Sequence, residues 1–229
     1  MCGIFGYLSQ SDSKDRLIAE KLFKNLNILS ESRGKEASGL IALTDKKIKF
    51  LKDAIPASDL IKTLNFNKTI KETVNKNENI AIFGHSRLVT NGSASDNFNN
   101  QPISVDGLVG VHNGIITNCE QLVKVHDDFK RETELDTEVL LKVLYREIKS
   151  SDIINGFAKT LKAIEGVVNI AVLFKDLNVA ALSTNNGSIY YCKSNSKDSI
   201  IFASEKYILQ ECLKKNKLTN FFSINDIKK

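Results

Sequence analysis

Apolar residues fall along this chain in short, nearly unbroken runs rich in Ile, Val and Phe, separated by polar and glycine-containing stretches. Eight runs predict strands: Cys2 to Leu8, Gly39 to Leu43, Ile80 to His85, Leu108 to His112, Val167 to Phe174, Val179 to Leu182, Ile189 to Cys192 and Ile200 to Ala203. Successive strand side chains point to opposite sides, so strands apolar at consecutive positions are expected to be covered on both faces. A helical period appears at Leu17, Ile18, Leu22, Leu26 and Leu29, which form one stripe with charges opposite. Val139, Leu140, Val143, Leu144 and Ile148 predict a second helix, with Asp136 expected as its N-cap and Glu138 in its first turn. A third is expected from Ile153 to Ile164 on Phe157, Leu161 and Ile164, stopped by Gly166. A shorter helix between Pro56 and Asn79 fits Leu60, Ile61 and Leu64. Strands come in groups with helices between the groups. That order favours an α+β fold of two antiparallel sheets with helices outside over a doubly wound parallel sheet.

Composition narrows the picture. The chain has 229 residues, 42% hydrophobic and 26% charged, enough to bury roughly 70% of its extended surface. With two prolines, no low-complexity tract and no repeat, residues 1–229 read as one domain, with no room for a synthase or isomerase module. The net charge of +5 is interleaved with acidic residues and reads as solubility, so no nucleic-acid partner is expected. Lys214, Lys215 and Lys217 read as a solvated face. No apolar run approaches the roughly 18 to 20 residues of a membrane helix, and the start lacks a basic signal region. A cytoplasmic location, without membrane association, is the expectation.

Cys2, Cys119, Cys192 and Cys212 contain no CxxC pair and are too few for a disulfide scaffold. His85, His112 and His126 show no metal-binding spacing, so neither a metal nor a cofactor is expected. Cys2 differs in position. If Met1 is removed, one residue carries both a thiol and the free α-amine. Their reference pKa values are near 8.5 and about 7.7 to 8.0, so at neutral pH the amine can accept the thiol proton.

Four glycine- and polar-punctuated segments stand at predicted strand ends: Met1-Cys-Gly-Ile-Phe-Gly6, Ser32-Arg-Gly-Lys-Glu-Ala-Ser-Gly39, Gly84-His-Ser-Arg-Leu-Val-Thr-Asn-Gly92 and His112-Asn-Gly-Ile-Ile-Thr-Asn118. Together with Glu134-Leu-Asp-Thr-Glu-Val139 and Ile201-Phe-Ala-Ser-Glu205, they resemble the class II glutamine amidotransferases. This is the N-terminal-nucleophile glutaminase domain found in glucosamine-6-phosphate synthase and amidophosphoribosyltransferase. The resemblance spans nearly the whole chain. It implies a four-layer α/β/β/α sandwich and hydrolysis of L-glutamine through a γ-glutamyl thioester on Cys2.

The resemblance also implies roles. Asn113 and Gly114 match the family's oxyanion donors, although Asn-Gly alone is a common tight-turn dipeptide. Arg87 matches the arginine that takes the glutamine carboxylate, and Asp136 the acid that takes its ammonium. Thr90, Asn91 and Gly92 match the loop that closes over glutamine, and Arg33 and Gly34 the pair supporting the nucleophile strand. His85 and His112 read as packing residues, because the terminal amine already supplies the base.

Leu88 stands where glucosamine-6-phosphate synthase has Trp, Asn91 where it often has His, and Lys35-Glu36-Ala37 where it has Tyr-Asp-Ser. Gly92-Ser-Ala-Ser95 and Asn100-Gln-Pro102 look closer to the phosphoribosyl-transferring branch. The expected arrangement is a glutaminase subunit passing ammonia to a separate synthase or isomerase. Two alternatives are a related hydrolase acting on another amide and a non-catalytic glutamine sensor or interaction domain that retains Met1.

Overall fold

The structure, a computed structural model, describes residues 2–44, 47–75, 78–88, 93–126, 129–177 and 179–229. The first strand, β1 (Gly3–Ser9), alternates its side chains between two different cores. Ile4 enters the apolar cluster between the sheets, whereas Phe5 and Tyr7 enter a second cluster under helices. That alternation is why its apolar run is continuous.

Along the chain follow α1 (Ala19–Ser30), β2 (Ala37–Thr44), β3 (Lys47–Asp53), α2 (Ala57–Leu60), α3 (Leu64–Val74), β4 (Ile80–Arg87), β5 (Ile103–Val105), β6 (Leu108–His112) and β7 (Ile115–Ile116). Then come α4 (Cys119–Val125), α5 (Asp136–Lys149), α6 (Ile153–Ala163), β8 (Gly166–Val167), β9 (Asn169–Phe174), β10 (Val179–Thr184), β11 (Tyr190–Lys193), β12 (Ser199–Ala203) and α7 (Lys206–Lys215). A six-stranded sheet runs β11-β12-β1-β4-β2-β3 and a four-stranded sheet β10-β9-β6-β5, with every pairing antiparallel. A two-stranded ladder joins β7 to β8.

Three cores hold four layers. Helices α1, α3 and α7 bury Phe23, Phe66 and Ile208 on the outer face of the large sheet. Ile4, Ile41, Phe83 and Phe202 meet Val109, Val111, Ala171 and Leu173 between the sheets. Helices α5 and α6 cover the outer face of the small sheet, where Val139, Leu140 and Leu144 pack on Ile170 and Val172. The expected α/β/β/α sandwich of two antiparallel sheets is therefore the architecture observed.

Several local expectations are corrected. The N-cap of α5 is Leu135, so Asp136 is the first helical residue, and its Oδ2 accepts the backbone N–H of Ile116 at 3.0 Å. The expected strand from Val167 to Phe174 is divided, because the Val168 N–H leaves the ladder for Asn185 Oδ1 at 2.9 Å. α6 ends with Ile164 already extended, so Gly166 does not stop it. Gly166, with φ of 128°, lies within the β7–β8 ladder, where any Cβ would meet the Ile115 carbonyl oxygen at 2.1 Å. Leu17 and Leu64, expected on buried stripes, are 89% and 88% exposed. The inward face of α3 is Phe66, Thr69, Ile70 and Thr73.

Candidate active site

Strand direction brings the predicted residues together. β1 begins and β4 ends on one edge of the large sheet, since Gly3 pairs with Ser86, and β2 enters there with Ala37 opposite Arg87. Parity then selects a face. Ile4 and Phe83 point between the sheets, so Cys2 and Arg87, each an even number of residues away, are placed on that inner side. Val109 and Val111 point inward from β6, and Asn113 follows in the same phase. The sequence thus directs three predicted groups from two sheets toward one edge of the inter-sheet space.

The Cys2 thiol donates to the Leu88 carbonyl at 3.4 Å. Burial pushes this thiol up from its ordinary value, opposed by the Leu88 backbone bonding to the charged form and by the Arg87 guanidinium, while Asp136 raises it further. Both charges act on the sulfur. Arg33 lies behind, with Nε donating to the Cys2 carbonyl at 3.4 Å and Nη1 paired with Glu205 at 2.8 Å. Gly34 packs against the backbone of Arg87 and Leu88.

Arg87 is only 3% exposed, and its Nη1 donates to Asn100 Oδ1 at 2.7 Å and to the Ser93 carbonyl at 3.3 Å. Asn113 exchanges backbone hydrogen bonds with Asn169, and its side-chain Oδ1 is buried without a partner among the described residues. Neither Asn113 nor Gly114 has a positive φ, so this dipeptide is not the tight hairpin turn that Asn-Gly often makes. Gly114 answers to space instead. A Cβ there would lie 1.8 Å from the Val167 carbonyl oxygen.

Asp136 lines a cleft of about 530 Å³ together with Asn118, Cys119, Arg131 and Glu134. Burial pushes its carboxyl up, but His112 and the N–H groups of Ile116 and Thr137 outweigh this and hold it below the ordinary carboxylate value. His112 Nδ1 is 3.5 Å from Asp136 Oδ1, and its Nε2 faces the Val167 carbonyl at 3.3 Å. His85 is fully buried, and neither ring nitrogen makes a well-formed hydrogen bond among the described residues. Burial and then the Arg87 guanidinium push this imidazole down to about 3, so it is neutral near pH 7.

Thr90, Asn91 and Gly92 lie outside the described residues. Among the residues assigned no role from sequence, Asn99, Asn100 and Gln101 are buried beside the site. Their signal was legible as three amides in succession before a proline.

A sequence model described as a glutamine amidotransferase domain matches residues 85–211, more than half of the 229 residues. The chain belongs to this family. It is 30% identical over 219 residues to the glutamine–fructose-6-phosphate aminotransferase of Helicobacter pylori strain J99, covering 91% of this chain and 33% of that protein. It is 30% identical over 220 residues to the amidophosphoribosyltransferase of Methanocaldococcus jannaschii, covering 90% of this chain and 42% of that one. The chain therefore spans a third to two-fifths of these curated relatives. The solved structure of glutamine phosphoribosylpyrophosphate amidotransferase from B. subtilis, complexed with ADP and GMP, matches 92% of this chain and 43% of its own at TM-score 0.65 and 20% identity. That likeness gives the amidotransferase domain its N-terminal-nucleophile fold. Among the described residues, no helix is long and apolar enough to cross a membrane.

Proposed function

We propose that this amidotransferase domain hydrolyses the side-chain amide of L-glutamine to glutamate and ammonia through a thioester on Cys2, and supplies the ammonia to an aminating synthase or isomerase on the same or another chain. The observation that carries this reading is the convergence of Cys2, Arg87 and Asn113 at one edge of the inter-sheet space, with the charges of Arg87 and Asp136 both acting on the Cys2 sulfur. An amide substrate with a carboxylate and an ammonium suits that pairing of opposite charges.

Once Met1 is removed, the α-amine of Cys2 accepts the thiol proton and the sulfur adds to the amide carbon. The resulting oxyanion is met by the Asn113 side-chain amide and the Gly114 N–H. Collapse breaks the carbon–nitrogen bond, and the proton held by the amine leaves with nitrogen as ammonia. Water then adds to the thioester, releasing glutamate and restoring the thiol. Arg87 takes the substrate carboxylate and Asp136 its ammonium. Arg33 supports the nucleophile strand through the Cys2 carbonyl, and Gly34 lets the adjoining loop reach Arg87.

Ammonia and glutamate release by the processed chain, beside Cys2→Ala, tests the reading. Turnover in the first and none in the second is expected, and equal turnover overturns the nucleophile. A native chain that retains Met1 and binds glutamine without releasing ammonia supports the sensor alternative instead.

A further inference from the structure

Asn99, Asn100 and Gln101 are 4%, 0% and 6% exposed, three amide side chains buried in succession. Amide residues are mostly found at the surface, and leaving one buried without its hydrogen bonds costs about 1 to 3 kcal/mol. Here each amide is satisfied by a different part of the site. Asn99 Oδ1 accepts the Glu134 N–H at 2.9 Å and its Nδ2 faces Glu134 Oε2 at 3.4 Å, two residues before Asp136. Asn100 Oδ1 takes Arg87 Nη1 at 2.7 Å, while its Nδ2 is held by the Ala94 carbonyl at 2.7 Å and Asn97 Oδ1 at 2.9 Å. Gln101 Nε2 donates to the His112 carbonyl at 3.0 Å and its Oε1 accepts the His112 N–H at 2.5 Å, directly before Asn113.

The Gln101 pair has a topological origin. Ile103 lies opposite Gly110 in the β5–β6 ladder, so continuing that register sets Gln101 opposite His112. In place of the backbone of Gln101, its side-chain amide takes both the N–H and the carbonyl of His112, the last β6 residue. The segment is itself anchored to the large sheet. Lys52 Nζ donates to the Asn100 carbonyl at 2.8 Å, and a Cβ on Gly39 would lie 2.1 Å from the Gln101 carbonyl oxygen.

We propose that Asn99, Asn100 and Gln101 form a positioning strap in which each successive amide fixes a different wall of the glutamine site: the Asp136 loop, the Arg87 fork and the Asn113-Gly114 oxyanion turn. This inference rests on the glutamine-hydrolysing reading. It adds that neighbouring residues in one short segment control different kinetic constants. Asn100 sets how the carboxylate is held in both the ground and transition states, so its loss raises the glutamine KM. Gln101 sets where the oxyanion donors stand, so its loss lowers kcat.

The test measures glutamine kcat and KM for the processed wild type, Asn100→Ala and Gln101→Met. A second readout is protection of Cys2 by L-glutamine against iodoacetamide, followed by intact mass. Asn100→Ala is expected to raise KM and weaken protection about tenfold with kcat within about threefold, the scale of one hydrogen bond to a charged group. Gln101→Met fills a similar volume without the amide, and is expected to lower kcat about tenfold or more while leaving protection within about threefold. If Gln101→Met does not fold, Gln101→Glu replaces it: its carboxylate accepts the His112 N–H but opposes the His112 carbonyl, and the same loss of kcat is expected. Parallel changes in kcat and KM at both positions, or wild-type constants in folded variants, overturn the strap while leaving the glutamine reading standing. A wild type that neither releases ammonia nor is protected by L-glutamine overturns the glutamine reading itself, and the strap with it.

Discussion

Gly34 sits directly on the backbone of Arg87: a Cβ added to it would lie 2.1 Å from the Arg87 carbonyl carbon and 2.2 Å from its oxygen. The φ of Gly34 is 170°, ordinary extended backbone, so the requirement is for space and not for conformation. The Glu36 N–H donates to the same Arg87 carbonyl at 3.3 Å, which holds the loop against the end of β4. The nucleophile strand and the arginine are thus tied to one loop, Arg33 reaching Cys2 and Gly34 reaching Arg87.

Gly34→Ala must therefore displace backbone. Overpacking of this kind costs about 1 to 3 kcal/mol, which lowers the melting temperature by roughly 2 to 4 °C per kcal/mol in a chain of this size. Because the displaced atoms belong to Arg87, the glutamine KM is expected to rise as well. Calorimetry and initial rates check both, and a variant that melts and binds like wild type removes the contact from consideration.

Acid should weaken the fold in two windows. His85 has its folded pKa depressed to about 3, so between about 6.5 and about 3 the unfolded chain binds a proton that the folded chain refuses, and stability falls as pH drops. The slope from this one group approaches about 1.4 kcal/mol per pH unit. Asp136 is also depressed, so its contribution is present above the ordinary carboxylate value and is lost as pH falls further, through its folded value. Denaturant melts from pH 7 to pH 4 on wild type and His85→Leu test the first window. The variant should lose much of the slope above pH 4, and an unchanged slope would assign it to other groups.

Strands such as Gly3–Ser9 and Ile80–Arg87 were legible because a strand covered on both faces is written as an apolar run. β3 was not, because Lys47, Lys49, Lys52 and Asp53 give it the charged sequence of an exposed edge strand. β5 is three residues long and carries no period to read. α7 buries Ile208, Leu209, Cys212 and Leu213, a helical stripe obscured by the lysines that close it. At the candidate site, motif positions named Cys2, Arg87, Asn113 and Asp136, since short segments at strand ends keep their chemistry in sequence. The partners of Asp136 and the contacts of Asn99, Asn100 and Gln101 were hidden, because they join residues 11 to 35 positions apart and depend on register.

Arg87→Lys keeps a charge but loses the planar fork, of which Nη1 is already engaged with Asn100. An ammonium cannot both hold Asn100 and grip a carboxylate through two parallel bonds. The glutamine KM should rise about tenfold or more with a smaller change in kcat. An unchanged KM would move carboxylate binding to another cation.

The reactivity of Cys2 should depend on processing. Burial holds the thiol above its ordinary value even with the Leu88 backbone, the terminal ammonium and Arg87 opposing it, so a chain retaining Met1 is expected to alkylate slowly at pH 7 and faster as pH rises. Removal of Met1 puts an ammonium on the same residue as the sulfur. That charge favours the thiolate, so the rise in alkylation with pH should begin at lower pH in the processed chain. Iodoacetamide labelling of Cys2, followed by intact mass for both forms from pH 6 to pH 10, checks the order of the two profiles. Coincident profiles would mean that moving the terminal ammonium onto Cys2 does not lower the thiol further, and the base for the first step would have to be sought elsewhere.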